Sequence, residues 1–339
     1  MTEREQVERA GIWSRLRRDR WGFVALMTLL GLLGVAVFGD LLASDLPVVL
    51  RFHGQTYLLP ALTRPAALRA YDNQRLRREV GAKDWAWFPL CEYGAEQQPP
   101  IVSPPPASPS ARHWLGTDDR GRDVFARLIH GSRVSLAVGF VAVAIYVLIG
   151  LFLGLLAGYH RGRVDWVISR VIELGLTFPT FFLILTVMAL LGRTSVWTMA
   201  LVIGLTRWTG VARLVRAEVL RLRELDFIAA ARVAGASSAR IMLRHLLPNA
   251  LAPVLVNATF GVASVILVES ALSFLGFGTP PPTASWGEVL GQAYDNPHAW
   301  WLVVFPGLLL FIAISAINRL GQGLHDALDA RRGVEKAES

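Results

Sequence analysis

The chain alternates long apolar runs with short polar segments that carry most of its arginines. Six runs, at about 21–42, 135–158, 173–192, 195–213, 250–272 and 299–319, approach the twenty or so residues a helix needs to cross a hydrocarbon core of about 30 Å. In that medium every backbone N–H and C=O must be bonded within its own segment. The pattern therefore predicts an all-α membrane protein with six transmembrane helices. Arg207 interrupts the fourth run, and its charge can snorkel to an interface if the helix ends there. The first run follows a basic tail (Arg15, Arg17, Arg18, Arg20) and exceeds the roughly 7–15 apolar residues of a secretory signal, so it reads as an uncleaved first span.

Arginine placement gives the orientation, because short cytoplasmic loops gather Lys and Arg. The N-terminal tail and the 159–171 loop (Arg161, Arg163, Arg170) are basic. So is the 213–249 loop, with Arg213, Arg216, Arg221, Arg223, Arg232, Arg240 and Arg244. The 273–298 loop has neither Lys nor Arg, and 193–195 has only Arg193. Both termini are then expected in the cytoplasm. Trp21, Trp166, Trp197, Trp208, Trp300 and Trp301 fall near span ends, where an aromatic belt would place them.

Between the first two runs lies a long segment expected outside the cytoplasm. It reads as an ordered part (Pro47 to Pro60), a polar helical stretch (Ala66 to Val80) and a proline-rich linker, QQPPIVSPPPASPS, that favours an extended spacer. After it, Val124, Phe125, Leu128 and Ile129 share one helical face and predict a short amphipathic helix at the membrane surface. The expected division is a tail at 1–20, a first helix at 21–42, the outer segment at 43–134, a core of five helices at 135–325 and a second tail at 326–339.

Composition agrees with lipid as the solvent. Charged residues make up 18% of the chain against about 25% in soluble domains, with a mean hydropathy of +0.43. The net charge of +8 is spread over loops without an aromatic-plus-basic surface motif, which argues against nucleic acid. Cys91 is the only cysteine, and the seven histidines are scattered singly, so neither a disulfide nor a metal centre is expected. There is no GxxxxGK[ST] phosphate loop, so ATP must be bound by a partner if it is used. No catalytic cluster is visible in the spans.

The segment DFIAAARVAGASSARIMLRHLLPNALAP carries the most information. Phe227 to Ala234 favours helix, Gly235 supplies a left-handed cap or sharp turn, and Ser237 or Ser238 can cap a second helix running to Leu247. Pro248 then opens the next span, where its missing N–H costs little. Ala229, Ala230 and Ala231 would let another surface approach closely, ringed by Arg232, Arg240 and Arg244. A basic hairpin tethered to anionic headgroups is the alternative.

The spacing of Ala230-Ala231, Gly235 and Leu247-Pro248 resembles the EAA loop of ATP-binding-cassette (ABC) importer permeases. In that family the loop docks in a groove on the ATPase. Here Ala229 stands at the motif's Glu position and His245 at its Ile position, which removes any specific carboxylate contact. HWLGTDDRGRDVFARLIHGSRVSL and VESALSFLGFGTPPPTASWGEVL resemble the second permease of dipeptide and oligopeptide importers, and ASDLPVVLRFHGQTYLLP resembles the Yej-type branch, associated with peptides and the peptide antibiotic microcin C. The resemblance spans about 112–325. It implies the type I importer fold, in the bacterial inner membrane, and a coupling loop of Ala230, Ala231, Arg232, Gly235, Arg240, Arg244, Leu247 and Pro248. It also implies partners: a homologous second permease as heterodimer, two ABC ATPase domains that bind ATP and Mg, a periplasmic binding protein and a peptide substrate. The permease itself would perform no covalent chemistry and bind no cofactor.

Other polar residues have two readings each. Asp118 to Asp123 (DDRGRD) reads as an Asp-stabilised turn, its spacing being wrong for an EF-hand. By resemblance it lies where permease meets binding protein. Glu269, flanked by Ser264, Ser270 and Ser273, either lines a translocation path and meets a peptide ammonium group, or sits at an interface or pairs with a partner's arginine. Pro179, Pro253 and Pro306 are static kinks or hinges. An ATP-independent secondary transporter or channel is the rival from another class, although no internal repeat supports it.

Overall fold

A computed structural model describes residues 19–81, 84–98, 104–192 and 195–337, with side chains to Ala327. Arg15, Arg17, Arg18, Arg193 and the centre of the proline-rich linker lie outside the described residues. The main elements are α1 (Arg20–Leu42), β1 (Val49–Phe52), β2 (Gln55–Leu58), α2 (Asn73–Glu79), β3 (Trp85–Trp87), α3 (Val124–His160), α4 (Gly162–Thr177) and α5 (Thr180–Leu191). They continue with α6 (Val196–Leu222), α7 (Asp226–Val233), α8 (Ser238–Phe274), α9 (Trp286–Gly291) and α10 (Trp301–Ala337).

α1, α3, α8 and α10 are each long and apolar enough to cross a membrane, and α4 with α5 adds a fifth crossing if the bent pair is one span. The run at 173–192 is thus not a straight helix. Phe178 precedes Pro179, is held extended (ψ 131°) by that proline's ring, and the two helices meet at 83°. α6 is long enough for a sixth crossing, but Arg207, Arg213 and Arg216 lie within it.

The surface helix expected before the second run is not separate. Residues 124–160 form one helix whose first turns are buried by protein: Val124, Leu128 and Ile129 are in the core, and Arg127 is fully buried with charged partners. Nothing in the stretch breaks a helix, and its polar groups find partners in the chain rather than at the surface. Arg133, for instance, donates from Nε to Ala36 O (2.9 Å) and from Nη2 to Asp40 (3.0 Å), pinning α1. The last helix continues to Ala337, through the residues expected as the second tail.

The segment between α1 and α3 departs from all-α in a three-stranded antiparallel sheet, in the order β2-β1-β3. His53 and Gly54, both at positive φ (50° and 78°), make the two-residue hairpin turn joining Phe52 to Gln55. Leu46, Leu50, Phe52, Leu68 and Leu76 form a small core of its own, so the part expected to be ordered packs as a unit. The expected helix at Ala66–Val80 is a short 3-10 turn followed by α2, which Asp72 caps by accepting from Arg75 N (2.8 Å).

The bundle is organised on the α3–α6 seam, with α8 against α3 and α10 and with α1 against α3 and α10. Gly150, Gly154 and Gly158 recur once per turn along α3. A Cβ there would lie 2.6–2.7 Å from Val211, Val215 or Val219 of α6, so only glycine permits this approach. Replacing Gly154 with Val should cost about 1–3 kcal/mol or more of packing and lower the thermal midpoint of the purified protein. The same exchange at Gly34, whose Cβ would meet nothing, should leave it unchanged. Equal midpoints for the two variants would remove the seam from its central place.

Candidate functional site

Three polar constellations stand out, one at each end of the bundle and one inside it. At the end where α3 closes, α6 carries a helix–turn–helix knuckle. α7 ends in a Schellman motif: Gly235 takes φ +77°, its N–H donates to Arg232 O (3.0 Å), and Ala236 N donates to Ala231 O (3.0 Å). Ser237 caps α8, its Oγ accepting from Arg240 N (3.4 Å). Residues 241–246 are wound as a π-turn, with Leu247 N donating to Met242 O, immediately before Pro248, which has no N–H to give. The expected second helix and the next span are therefore one element.

Ile228, Ile241 and Leu246 are buried and root the knuckle in the main core. Ala229, Ala230, Arg232, Gly235, Arg240, Arg244 and Pro248 are exposed, while Ala231 and Leu247 are half-buried. Val233 is 91% exposed. The stalk below is stiffly held. Asp165 of α4 pairs with Arg216 (Nη2 to Oδ2, 2.8 Å), and Arg161 pairs with Glu224 (2.6 Å). Arg223 donates to the carbonyls of Gly158 (3.3 Å) and Tyr159 (2.8 Å), satisfying the end of α3 as a cation should.

At the opposite end, DDRGRD folds as the Asp-stabilised turn its sequence suggests. Asp118 Oδ1 accepts from Arg120 N (2.9 Å) and Arg122 N (2.8 Å), and its Oδ2 accepts from Arg122 Nε (2.7 Å). Arg127 reaches Asp118 (3.2 Å), Glu288 of α9 (2.5 Å) and the carbonyl of Ala95 (2.9 Å). One buried guanidinium thus joins the outer segment, the turn, α3 and α9. Asp123 caps α3 through Ala126 N (2.8 Å), contacts His113 Nδ1 (2.9 Å), and accepts a weak contact from Cys91 Sγ (3.5 Å). Burial, and then the Asp123 charge, push the Cys91 thiol up to about 12.

Inside the bundle, Glu269 is fully buried and contacts three serines. Ser135 donates to Oε2 (3.0 Å), Ser273 to Oε1 (2.9 Å), and Ser270 lies at 3.4 Å. Ser135 also accepts from Trp286 N (3.4 Å), so the carboxylate ties α3, α8 and α9. Ser270 is itself buried, its backbone against Gly287. Within the chain, then, Glu269 is held by serines.

Sequence reasoning passed over Arg207, treating it as a snorkelling residue. It lies about three turns inside α6, and its Nη2 donates to Ser264 Oγ (2.9 Å) while the buried Nη1 has no hydrogen-bond partner. The signal was present: an arginine in the middle of an apolar run, with apolar residues resuming after it.

With this geometry in place, comparison with known proteins is informative. The family of binding-protein-dependent transport system inner membrane components matches residues 150–334. The dipeptide transport system permease protein DppC of Alkalihalophilus pseudofirmus is 42% identical over 224 residues, 66% of this chain and 73% of the relative. The inner membrane ABC transporter permease protein YejE of Escherichia coli K12 is 34% identical over 333 residues, 95% and 97% of the two chains. Among solved structures, the inward-facing MetNI methionine ABC transporter matches at 25% identity with a TM-score of 0.46, covering 60% of this chain and 97% of that one.

Two outcomes follow from the outer cluster. Arg127→Ala takes from Glu288 its nearer cation and from Asp118 one of its two, Arg122 remaining at 2.7 Å from Asp118, and should cost about 1–3 kcal/mol, seen as a fall in thermal midpoint in detergent. An unchanged midpoint would show the network to be dispensable. Cys91, protonated at pH 8, should resist maleimide in native membranes and react fully after denaturation in detergent. Equal labelling rates would contradict its burial.

Proposed function

The chain belongs to the family of binding-protein-dependent transport system inner membrane components, and from that premise we propose that it is the permease subunit that carries peptides inward through the bacterial inner membrane at the expense of ATP bound by partner subunits. The observation that carries the reading is the knuckle: an exposed helix with a shape-fixing cap, rooted in the core by Ile228, Ile241 and Leu246 and presented on a pinned stalk. A surface built for lipid headgroups would not need that rigidity. A surface that transmits force from a closing ATPase would.

In this reading Ala230, Ala231, Arg232, Gly235, Arg240 and Arg244 face the ATPase, and Leu247 and Pro248 pass the motion to α8. Ala229 supplies no carboxylate, so shape and the exposed apolar Val233 dominate the contact. The knuckle end, with both termini, is cytoplasmic, in line with its arginines. The opposite end, with DDRGRD and the small sheet, faces the substrate-binding protein. α6 makes the sixth crossing beside a homologous second permease, because six helices are too few to enclose a peptide-sized path. Peptide as cargo follows from the dipeptide permease among the relatives and from the Yej-type likeness over 95% of the chain. An ATP-independent carrier would leave the knuckle without a partner.

Conformational cycling then requires two packings of the same helices, biased by ATPase closure on one side and by the loaded binding protein on the other. The break at Phe178-Pro179 is the place where a small rotation of α5 against α4 costs least backbone bonding. Gly235→Arg, at φ +77° and on the docking face, should insert normally yet abolish ATP-driven uptake, with ATPase subunits lost on purification. Wild-type uptake by that variant would refute the docking assignment.

A further inference from the structure

The Arg207 groove has no role in the knuckle, the outer cluster or the Glu269 serine set. It is a cavity of about 630 Å³, open on one side, between α6, α8 and the break after α4. Polar lining comes from Tyr146, Thr180, Thr209, Asn257 and Ser264, with Arg207 and Arg213 the charged members, and among the described residues no carboxylate lines it. Arg207 Nη2 is held by Ser264 Oγ at 2.9 Å, while Nη1 is buried and unpaired. An arginine about midway along a spanning helix is costly unless it is paired or functional. Its remaining donors are the kind that grip a carboxylate oxygen by oxygen. The surroundings are shaped to keep that head in place. Tyr146 lies so close over Gly261 that a Cβ there would meet its hydroxyl oxygen at 1.7 Å.

We propose that the Arg207 groove is a carboxylate-binding subsite on the translocation path, which receives the C-terminal carboxylate of the peptide as it passes through the membrane. The proposal rests on the peptide reading above and adds to it the chemical group that is recognised and the residue that recognises it. Ser264 orients the guanidinium, and the unpaired Nη1 is the free donor. Because the groove opens to one side, an acidic side chain of the second permease is the competing source of a carboxylate, and the test separates the two.

The experiment uses the complete importer in proteoliposomes, with pairs of peptides that differ only in a free or amidated C-terminus and that the binding protein holds equally well. The wild type should import the free acid about tenfold or more faster than the amide, the scale of one lost charge-assisted bond. Arg207→Gln should slow the free acid to the amide's rate, with ATPase stimulation by loaded binding protein retained, and Arg207→Lys should restore part of the preference. Equal preference in Arg207→Gln and wild type would overturn the proposal. So would an Arg207→Gln chain that no longer co-purifies with the second permease, which would make the arginine an inter-subunit ion pair. A wild type that imports no peptide of either kind while transporting another cargo would instead overturn the peptide reading, and this subsite with it.

Discussion

Apolar side chains gain little by leaving lipid for one another, so helices in a bilayer associate where their backbones come close enough for dispersion and weak polar contacts to add up. In this chain that condition is met along the α3–α6 seam. The glycines at 150, 154 and 158 let valines of α6 sit directly on the α3 backbone, and Gly204 returns the favour to Ile145. Everything else is placed by this seam. It fixes the height of α6, and with it the knuckle at one end and Arg207 in the middle. It also fixes α3 as the post against which α1, α8 and α9 pack.

Charge does the work at the ends that close packing does inside. At the knuckle end, Arg216, Arg223 and Arg161 bind acidic partners and the open carbonyls of α3, so the stalk is held by several directional bonds. At the other end, Arg127 collects Asp118, Glu288 and a loop carbonyl into one buried cluster. Such clusters add little net stability compared with apolar packing, but they punish any rearrangement that separates the partners. That property suits a transporter, which needs rigid bodies that move as units. Between the two ends the polar groups are sparse. Glu269 is satisfied within the bundle, whereas Arg207 is only half satisfied and faces an open groove.

The α4–α5 bend and the α9 insertion give the bundle its asymmetry. α5, at twelve residues, spans only about 18 Å and cannot cross a bilayer alone. α9 is wedged between α3 and α8 so closely that Gly287 could bear no side chain without displacing the Ser270 backbone, and a Cβ at Gly131 would lie only 3.2 Å from the backbone of Ser285. One side of the structure is therefore tightly keyed and the other is interrupted. The proposed mechanism places its moving part on the interrupted side.

Sequence alone determined the helical membrane class and the approximate bounds of four of the six expected spans, because a bilayer requires internal backbone bonding and long apolar runs whatever the packing. It also determined the knuckle, since Gly235, the serine cap and Pro248 act over a few residues and needed no distant partner. The Asp118 turn was legible for the same reason. What the sequence left open depended on residues far apart in the chain. Whether residues 124–134 lie on the membrane or inside protein was decided by Glu288 and Ala95, which meet Arg127 only in the folded chain. Glu269's partner Ser135 comes from a distant helix, α3, and the small sheet forms because Trp85–Trp87 returns to pair with β1 across an intervening helix. Arg207 looked like an interface residue because nothing local reveals that α6 continues past it, and only its packing against α8 leaves one guanidinium nitrogen dry and unpaired in a groove.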